Sequence, residues 1–130
     1  MGLCWANRVP VVPPIGTGAN GENYNVQADT VAAAIAMELK AEKLVFLSNT
    51  HGIMTNPPDE ASFASTLNAE QVNDLIKRKV ITEGMLPKAR ACLASISAGV
   101  GKAHIIDGRI PHSLLLEIFT DKGIGTQIVL

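Results

Sequence analysis

Aromatic side chains are scarce in this sequence: one tryptophan, one tyrosine and three phenylalanines make up 4% of 130 residues. A core must therefore be filled by Ala, Val, Ile and Leu. At 47% hydrophobic residues and a mean hydropathy of +0.21, there is enough apolar material to fill it. Cysteine is nearly absent. Cys4 and Cys92 are the only two, with no histidine near them in sequence, which excludes a zinc framework or a disulfide scaffold and suits reduced thiols. There is no excess of one charge either. Eleven basic residues against twelve acidic ones leave a net charge of -1. That argues against a nucleic-acid partner held by bulk charge, although not against a local anion site. Long hydrophobic runs are missing as well. The longest, Val31 to Met37, is far too short to span a bilayer, and the opening "MGLCWANR" lacks the apolar region of a signal peptide. Together these absences predict a soluble cytoplasmic protein with no membrane partner. The length suits one domain over residues 1–130.

Strand and helix signals alternate along the chain. "VPVVPPIG" (Val9 to Gly16) begins like a buried strand that its prolines then stop, and Asn20-Gly21 marks a tight turn. Gln27 to Lys40 reads as a helix with Val31, Ile35 and Leu39 on one apolar face and alanines that admit a close neighbour. Lys43 to Ser48, "KLVFLS", reads as a strand covered on both faces, followed by a long connection, "NTHGIMTNPPDEAS". Asn68 and Gln71 form a capping-box signature ahead of a helix with Val72, Leu75 and Ile76 on its apolar face. That helix ends near Lys77 to Lys79, where three cations suit the last turn of the helix dipole; a phosphate site is the alternative. Pro87 is placed for the first turn of a third helix and Gly99 for its end. Ala103 to Asp107 reads as a strand, Pro111 as the start of a fourth helix through "HSLLLEIFT", and "GTQIVL" as a last strand. The alternation predicts an α/β fold with a mostly parallel sheet.

Gly16, Gly18 and Gly21 match G-x-G-x-x-G, but a dinucleotide fingerprint needs a helix opening directly at the loop. Here two prolines precede the glycines and "ENYN" separates them from the helix, so the expectation is a turn that brings Asn25 to the helix mouth. Asn25 and Asp29 stand four residues apart at that mouth. Both residue types are good helix caps. The same position also gathers free backbone N–H groups that attract anions, where an amide can bind a substrate and a carboxylate can orient a lysine ammonium. Such an arrangement suits phosphoryl transfer, which depends on positioning and charge neutralisation.

Three segments, in order, carry a resemblance. Val9 to Ile53, "EGMLPKARACL" (Glu83 to Leu93) and "KAHIIDGRIPHSLLLEIFTDKGIGT" (Lys102 to Thr126) resemble the C-terminal half of the acetylglutamate kinase branch of the amino acid kinase family. The likeness runs from about Val9 to Ile128. It implies a three-layer α/β/α sandwich around a mainly parallel sheet. The implied reaction is transfer of the ATP γ-phosphoryl group to the side-chain carboxylate of N-acetyl-L-glutamate, a step of arginine biosynthesis. Mg²⁺ would arrive with the nucleotide, without protein metal ligands. By resemblance Asn25 binds the substrate, Asp29 organises the catalytic lysines, and Lys88 stabilises charge on the transferring group. Asn49, Thr50, His51, Gly52, Ile53 and Met54 match the loop that holds the nucleotide, largely through backbone groups, and Val80, Ile81 and Thr82 line its adenine side. His51 could be an acid or base there, or only part of the loop wall. His104, Glu117 and Gly123 match positions that line a feedback site for arginine in the inhibited members.

The resemblance also implies partners that this sequence does not carry. The family's other half supplies two Gly-rich loops, a second catalytic lysine and a substrate-binding arginine. The expectation is a catalytically incomplete half that pairs with its own copies or with a chain supplying the N-terminal half. Two positions depart from the pattern: Asn49 stands where an aspartate is usual, and Glu83 where a second glycine often precedes Met85. A non-catalytic module that senses arginine or drives oligomerisation is the alternative expectation. A carbamate or aspartate kinase fits less well, because "HIIDGRIPHSLLLE" is particular to the acetylglutamate branch.

Overall fold

The computed structural model describes residues 6–82, 84–120 and 123–130. Cys4 and Glu83 lie outside the described residues. The elements follow the order β1 (Ile15–Thr17), β2 (Asn23–Asn25), α1 (Ala28–Glu38), β3 (Lys43–Ser48), a 3₁₀ turn (Glu60–Ser62), β4 (Thr66–Asn68), α2 (Ala69–Lys77), α3 (Leu86–Ser97), β5 (Lys102–Asp107), α4 (Ser113–Phe119) and β6 (Thr126–Val129). Four strands form one sheet in the order β3-β5-β6-β4. β3 runs parallel to β5 and β4 parallel to β6, while β5 and β6 are antiparallel, so the sheet is mixed with two parallel pairings of three.

β5 is the centre of the protein. Ala103, Ile105 and Ile106 are fully buried. Because side chains alternate along a strand, Ala103 and Ile105 face the main core with Leu44, Phe46 and Ile128, under α1 and α3. His104 points to the opposite face, where α4 lies against β5. Helices thus cover both faces of β5, as an α/β fold requires.

Several expectations change in the structure. Val9 to Gly16 is not a buried strand: Val9 is 89% and Val11 91% exposed, and only Ile15 and Gly16 enter β1. Pro10, Pro13 and Pro14 remove the backbone donors that a sheet needs. The glycine loop closes an antiparallel hairpin, with Gly16 opposite Tyr24 and Gly21 at φ +85° in its turn. On α1 the buried face is Ala33 and Ala36; Ile35 and Leu39 are 37% and 44% exposed. The small side chains win because α3 lies close against this helix. β3 is covered on one face only, with Leu44 and Phe46 buried and Leu47 58% exposed, and it forms one edge of the sheet. α4 starts at Ser113, two residues after Pro111, because His112 adopts a left-handed φ of +59° that no helix continues through.

The capping box of α2 is formed in full. Asn68 Oδ1 accepts from the Gln71 N–H at 2.8 Å, and Gln71 Oε1 accepts from the Asn68 N–H at 2.9 Å. Past its end, Lys79 turns to φ +58° and, among the described residues, Arg78 pairs only with Asp74 of its own helix, so these cations are a solvated helix end. Asn68 also closes β4, a three-residue strand beside β6 that no sequence period marked.

Candidate functional site

Two helix starts meet beside the β1–β2 hairpin. Asn25 ends β2, Gln27 is the N-cap of α1 with no side-chain cap bond, and Asp29 stands in the helix's first turn. Neither Asn25 nor Asp29 serves as the cap. Asp29 Oδ2 instead accepts a hydrogen bond from Lys88 Nζ at 2.9 Å. Lys88 lies in the first turn of α3, after Pro87, and both side chains are about one-fifth exposed, at 19% and 20%. The sequence separates the two by 59 positions; the packing of α1 on α3 joins them. An ammonium held by one carboxylate between two helix N-termini keeps donors free for an anion. Asn25 is exposed, four residues before Asp29 in the chain.

Cys92 lies one turn further along α3 and is fully buried. Burial pushes its thiol up to about 12, and the nearby Asp29 carboxylate adds to the rise. Reaction of Cys92 with iodoacetamide at pH 8 is expected to be at least about a hundredfold slower in the folded chain than in urea. Mass spectrometry of the Cys92 peptide reads this, and equal rates in both states would contradict its burial.

The second feature is a cleft of about 160 Å³ lined by Thr50, Gly52, Ile53, Met54, Pro57, Val80, Ile81, Thr82 and Met85. It brings together the two segments singled out in sequence, Asn49 to Met54 and Val80 to Thr82. Asn49 and His51 are not among its lining residues. The cleft begins where β3 ends, and β5 ends in register beside it, with Ser48 opposite Asp107. The carboxyl ends of parallel strands are where open α/β sheets bind ligands. Met85 borders the cleft and Lys88 follows it by three residues on α3, so one helix start serves both features. A wider groove of about 790 Å³ runs along α2 between solvated side chains such as Glu70, Asp74 and Lys77. It lies away from the Asp29–Lys88 pair, and its lining offers no polar group drawn from elsewhere in the fold except Thr55.

His51 turns to the end of β5. Its Nδ1 is 3.3 Å from Asp107 Oδ2. Asp107 is 1% exposed and also accepts from Arg109: from Nε at 2.9 Å, from Nη2 at 2.7 Å and from the backbone N–H at 2.9 Å. The Arg109 guanidinium holds the Asp107 carboxyl down to about 2. Asp107 and Arg109 were not singled out in sequence. The available signal was a carboxylate ending an otherwise apolar strand, "AHIID".

The third feature lies on the other face of β5. His104 Nδ1 and Glu117 Oε1 are 2.6 Å apart, and both side chains are buried, at 6% and 5% exposure. A carboxylate only accepts, which places the proton on Nδ1. Glu117 Oε2 accepts from the Ile124 N–H at 2.7 Å. Gly123, at φ +60°, leaves room for this carboxylate: a Cβ there would stand 2.7 Å from Oε2. His104 Nε2 is buried and has no hydrogen-bond partner among the described residues. The structure thus joins His104, Glu117 and Gly123 around one carboxylate.

The pattern that defines the amino acid kinase family matches residues 2–107. The chain belongs to the amino acid kinase family. It is 50% identical over 121 residues to an acetylglutamate kinase of Syntrophomonas wolfei, covering 93% of this chain and 42% of that protein. It is 53% identical over 120 residues to an acetylglutamate kinase of Carboxydothermus hydrogenoformans, covering 92% and 41%. In structure it is similar to the N-acetylglutamate synthase of Neisseria gonorrhoeae solved with coenzyme A and L-arginine. That match has a TM-score of 0.87 and 32% identity over 95% of this chain and 28% of the synthase. The chain therefore spans well under half the length of the curated relatives it matches. Among the described residues, no helix of this family member is long and apolar enough to cross a membrane.

Proposed function

We propose that residues 1–130 form one domain, the nucleotide-binding part of an acetylglutamate kinase. The observation that carries this reading is the convergence of Thr50–Met54 and Val80–Thr82 on one cleft, beside the start of the helix that bears Lys88. The identity to acetylglutamate kinases supports the same choice. In this reading the cleft forms one wall of the ATP site. The nucleotide brings its Mg²⁺, which neutralises phosphate charge when bound. Asn25 hydrogen-bonds N-acetyl-L-glutamate. A side-chain carboxylate oxygen of that substrate forms a bond to the γ-phosphorus as the bond to the β,γ-bridging oxygen breaks and ADP leaves. Lys88 neutralises the three peripheral oxygens of the moving group, and Asp29 keeps its ammonium in place.

The cleft is smaller than ordinary ligand sites, which begin at roughly 300 Å³, so the rest of the site comes from further residues of the fold. The open edge of β3 and the exposed Leu47 fit a second chain, a second copy or further sequence packing there. Turnover by these 130 residues alone is expected to be negligible. In the same reading the protein works in the cytoplasm, where ATP and free amino acids are at hand. Calorimetric titration with Mg–ADP is expected to give a dissociation constant below about 1 mM. A folded chain that evolves no heat at that concentration would refute the nucleotide reading.

The buried cluster on the other face of β5 supports a second role. His104, Glu117 and Gly123 bring a carboxylate and a ring nitrogen unpartnered among the described residues to one place, an acceptor set suited to the guanidinium or α-amino group of arginine. An arginine-sensing part of the same kinase is the reading this cluster favours.

A further inference from the structure

The loop that walls the cleft is held from behind at two points. On β6, Thr126 is fully buried, and its hydroxyl makes two hydrogen bonds far along the sequence. Thr126 Oγ1 accepts from the Ile53 N–H at 2.8 Å and donates to the Ala64 carbonyl at 2.7 Å. One hydroxyl thereby ties together both ends of the excursion between Ile53 and Ala64, which the Ala64 N–H to Ile53 carbonyl bond also closes at 3.0 Å. On β5, the buried Asp107 meets His51 at 3.3 Å and is itself fixed by Arg109. Gly52 sits between the two pins at φ +148°, a conformation that side chains rarely adopt. A Cβ at Gly52 would strike Thr126 Oγ1, so no other residue fits there without breaking the Thr126 pin.

The placement of side chains separates the pins from the ligand space. Gly52 and Ile53 line the cleft, whereas His51, Asp107 and Thr126 do not. The three form no part of its wall; they set where the wall stands. We propose that Thr126 and Asp107 are positioning residues for the cleft, a hydroxyl and a carboxylate on adjacent strands that hold His51–Gly52–Ile53 in the shape a nucleotide meets. This rests on the nucleotide reading of the cleft. It assigns His51 to the loop's anchorage, and neither to acid–base chemistry nor to ligand contact.

The test uses the whole chain, Mg–ADP as the probe, and amide hydrogen exchange over residues 50–53. In Thr126→Val the Ile53 N–H and the Ala64 carbonyl lose their shared partner. The dissociation constant for Mg–ADP is expected to rise about tenfold and the Ile53 amide to exchange at least about tenfold faster. Thr126→Ser keeps the hydroxyl and is expected to stay within about threefold of the parent in both readouts. That rescue separates positioning from bulk at the site. His51→Ala, at a position 56% exposed, gives a variant that folds even if Thr126→Val does not; faster exchange at residues 50–52 and weaker ADP binding are expected. Parent-like exchange and parent-like affinity in either folded variant would overturn the proposal. If the parent itself binds no Mg–ADP, the nucleotide reading fails. The Ile53 exchange then decides the clamp alone: acceleration in Thr126→Val supports it and none overturns it.

Discussion

Replacing Lys88 by methionine is expected to lower phosphoryl transfer about a hundred- to a thousandfold. The assay joins residues 9–130 to the rest of the 50%-identical Syntrophomonas wolfei kinase, of which this chain matches 42%. The size of the effect follows from the role. A single preorganised donor aimed at developing charge contributes about that much to a rate. Methionine keeps the length and most of the apolar stem, so α3 and the Cys92 packing beneath it stay intact. Asp29→Asn should cost rate as well, because a neutral amide holds the ammonium, 2.9 Å away in the parent, more weakly than a carboxylate does. The double variant is expected to be little worse than Lys88→Met alone, since the two side chains act as one unit. A hybrid that turns over with parent kcat in Lys88→Met would remove the lysine from the mechanism. Additive losses in the double variant would mean that Asp29 acts independently.

The second large effect concerns stability. Glu117→Ala should destabilise the fold by about 3 kcal/mol, the usual cost of deleting one member of a buried, hydrogen-bonded pair. The deletion strands two donors at once: the His104 Nδ1–H and the Ile124 N–H both lose their acceptor. His104 Nε2 is already unpartnered among the described residues, so the whole ring would be buried without a bond. Glu117→Gln retains an oxygen for Ile124 and should cost about half as much. Urea unfolding with an unchanged slope measures both; a loss in Glu117→Ala below about 0.5 kcal/mol would show that the pair contributes little. The same variants bear on arginine. Any rise in melting temperature that arginine gives the parent should vanish in both, because the carboxylate charge is gone from each.

How much of this was legible in sequence differs by element. α2 was readable in full, since its start is a local bond pattern between Asn68 and Gln71 and its apolar face repeats at helical spacing. β5 was readable too, as a short apolar run bounded by turns. α1 was located correctly but its face was not. Val31, Ile35 and Leu39 have the better hydrophobic period, yet the buried positions are Ala33 and Ala36, on a helix that packs closely on α3. Contact distance between helices, which no period encodes, decided that. β4 escaped because three residues carry no period of their own and exist as a strand only beside β6.

The site divides in the same way. Asn25, Asp29, Lys88, the loop from Asn49 and the segment from Val80 were recognisable as residue types in a familiar order, and that order alone determined the family and the candidate chemistry. What the sequence by itself determined is therefore local and ordinal: caps, turns, apolar runs and the succession of motifs. Only the tertiary structure decided which of them touch. Of the two readings open to Asp29, it leaves the cap unmade and sets the carboxylate on Lys88, because the starts of α1 and α3 converge. It set His51 of that loop against Asp107, because β3 and β5 end in register. It gave Thr126 a role with no trace in the surrounding residues, because a buried hydroxyl must find partners, and the backbone in reach belongs to a loop 73 positions away.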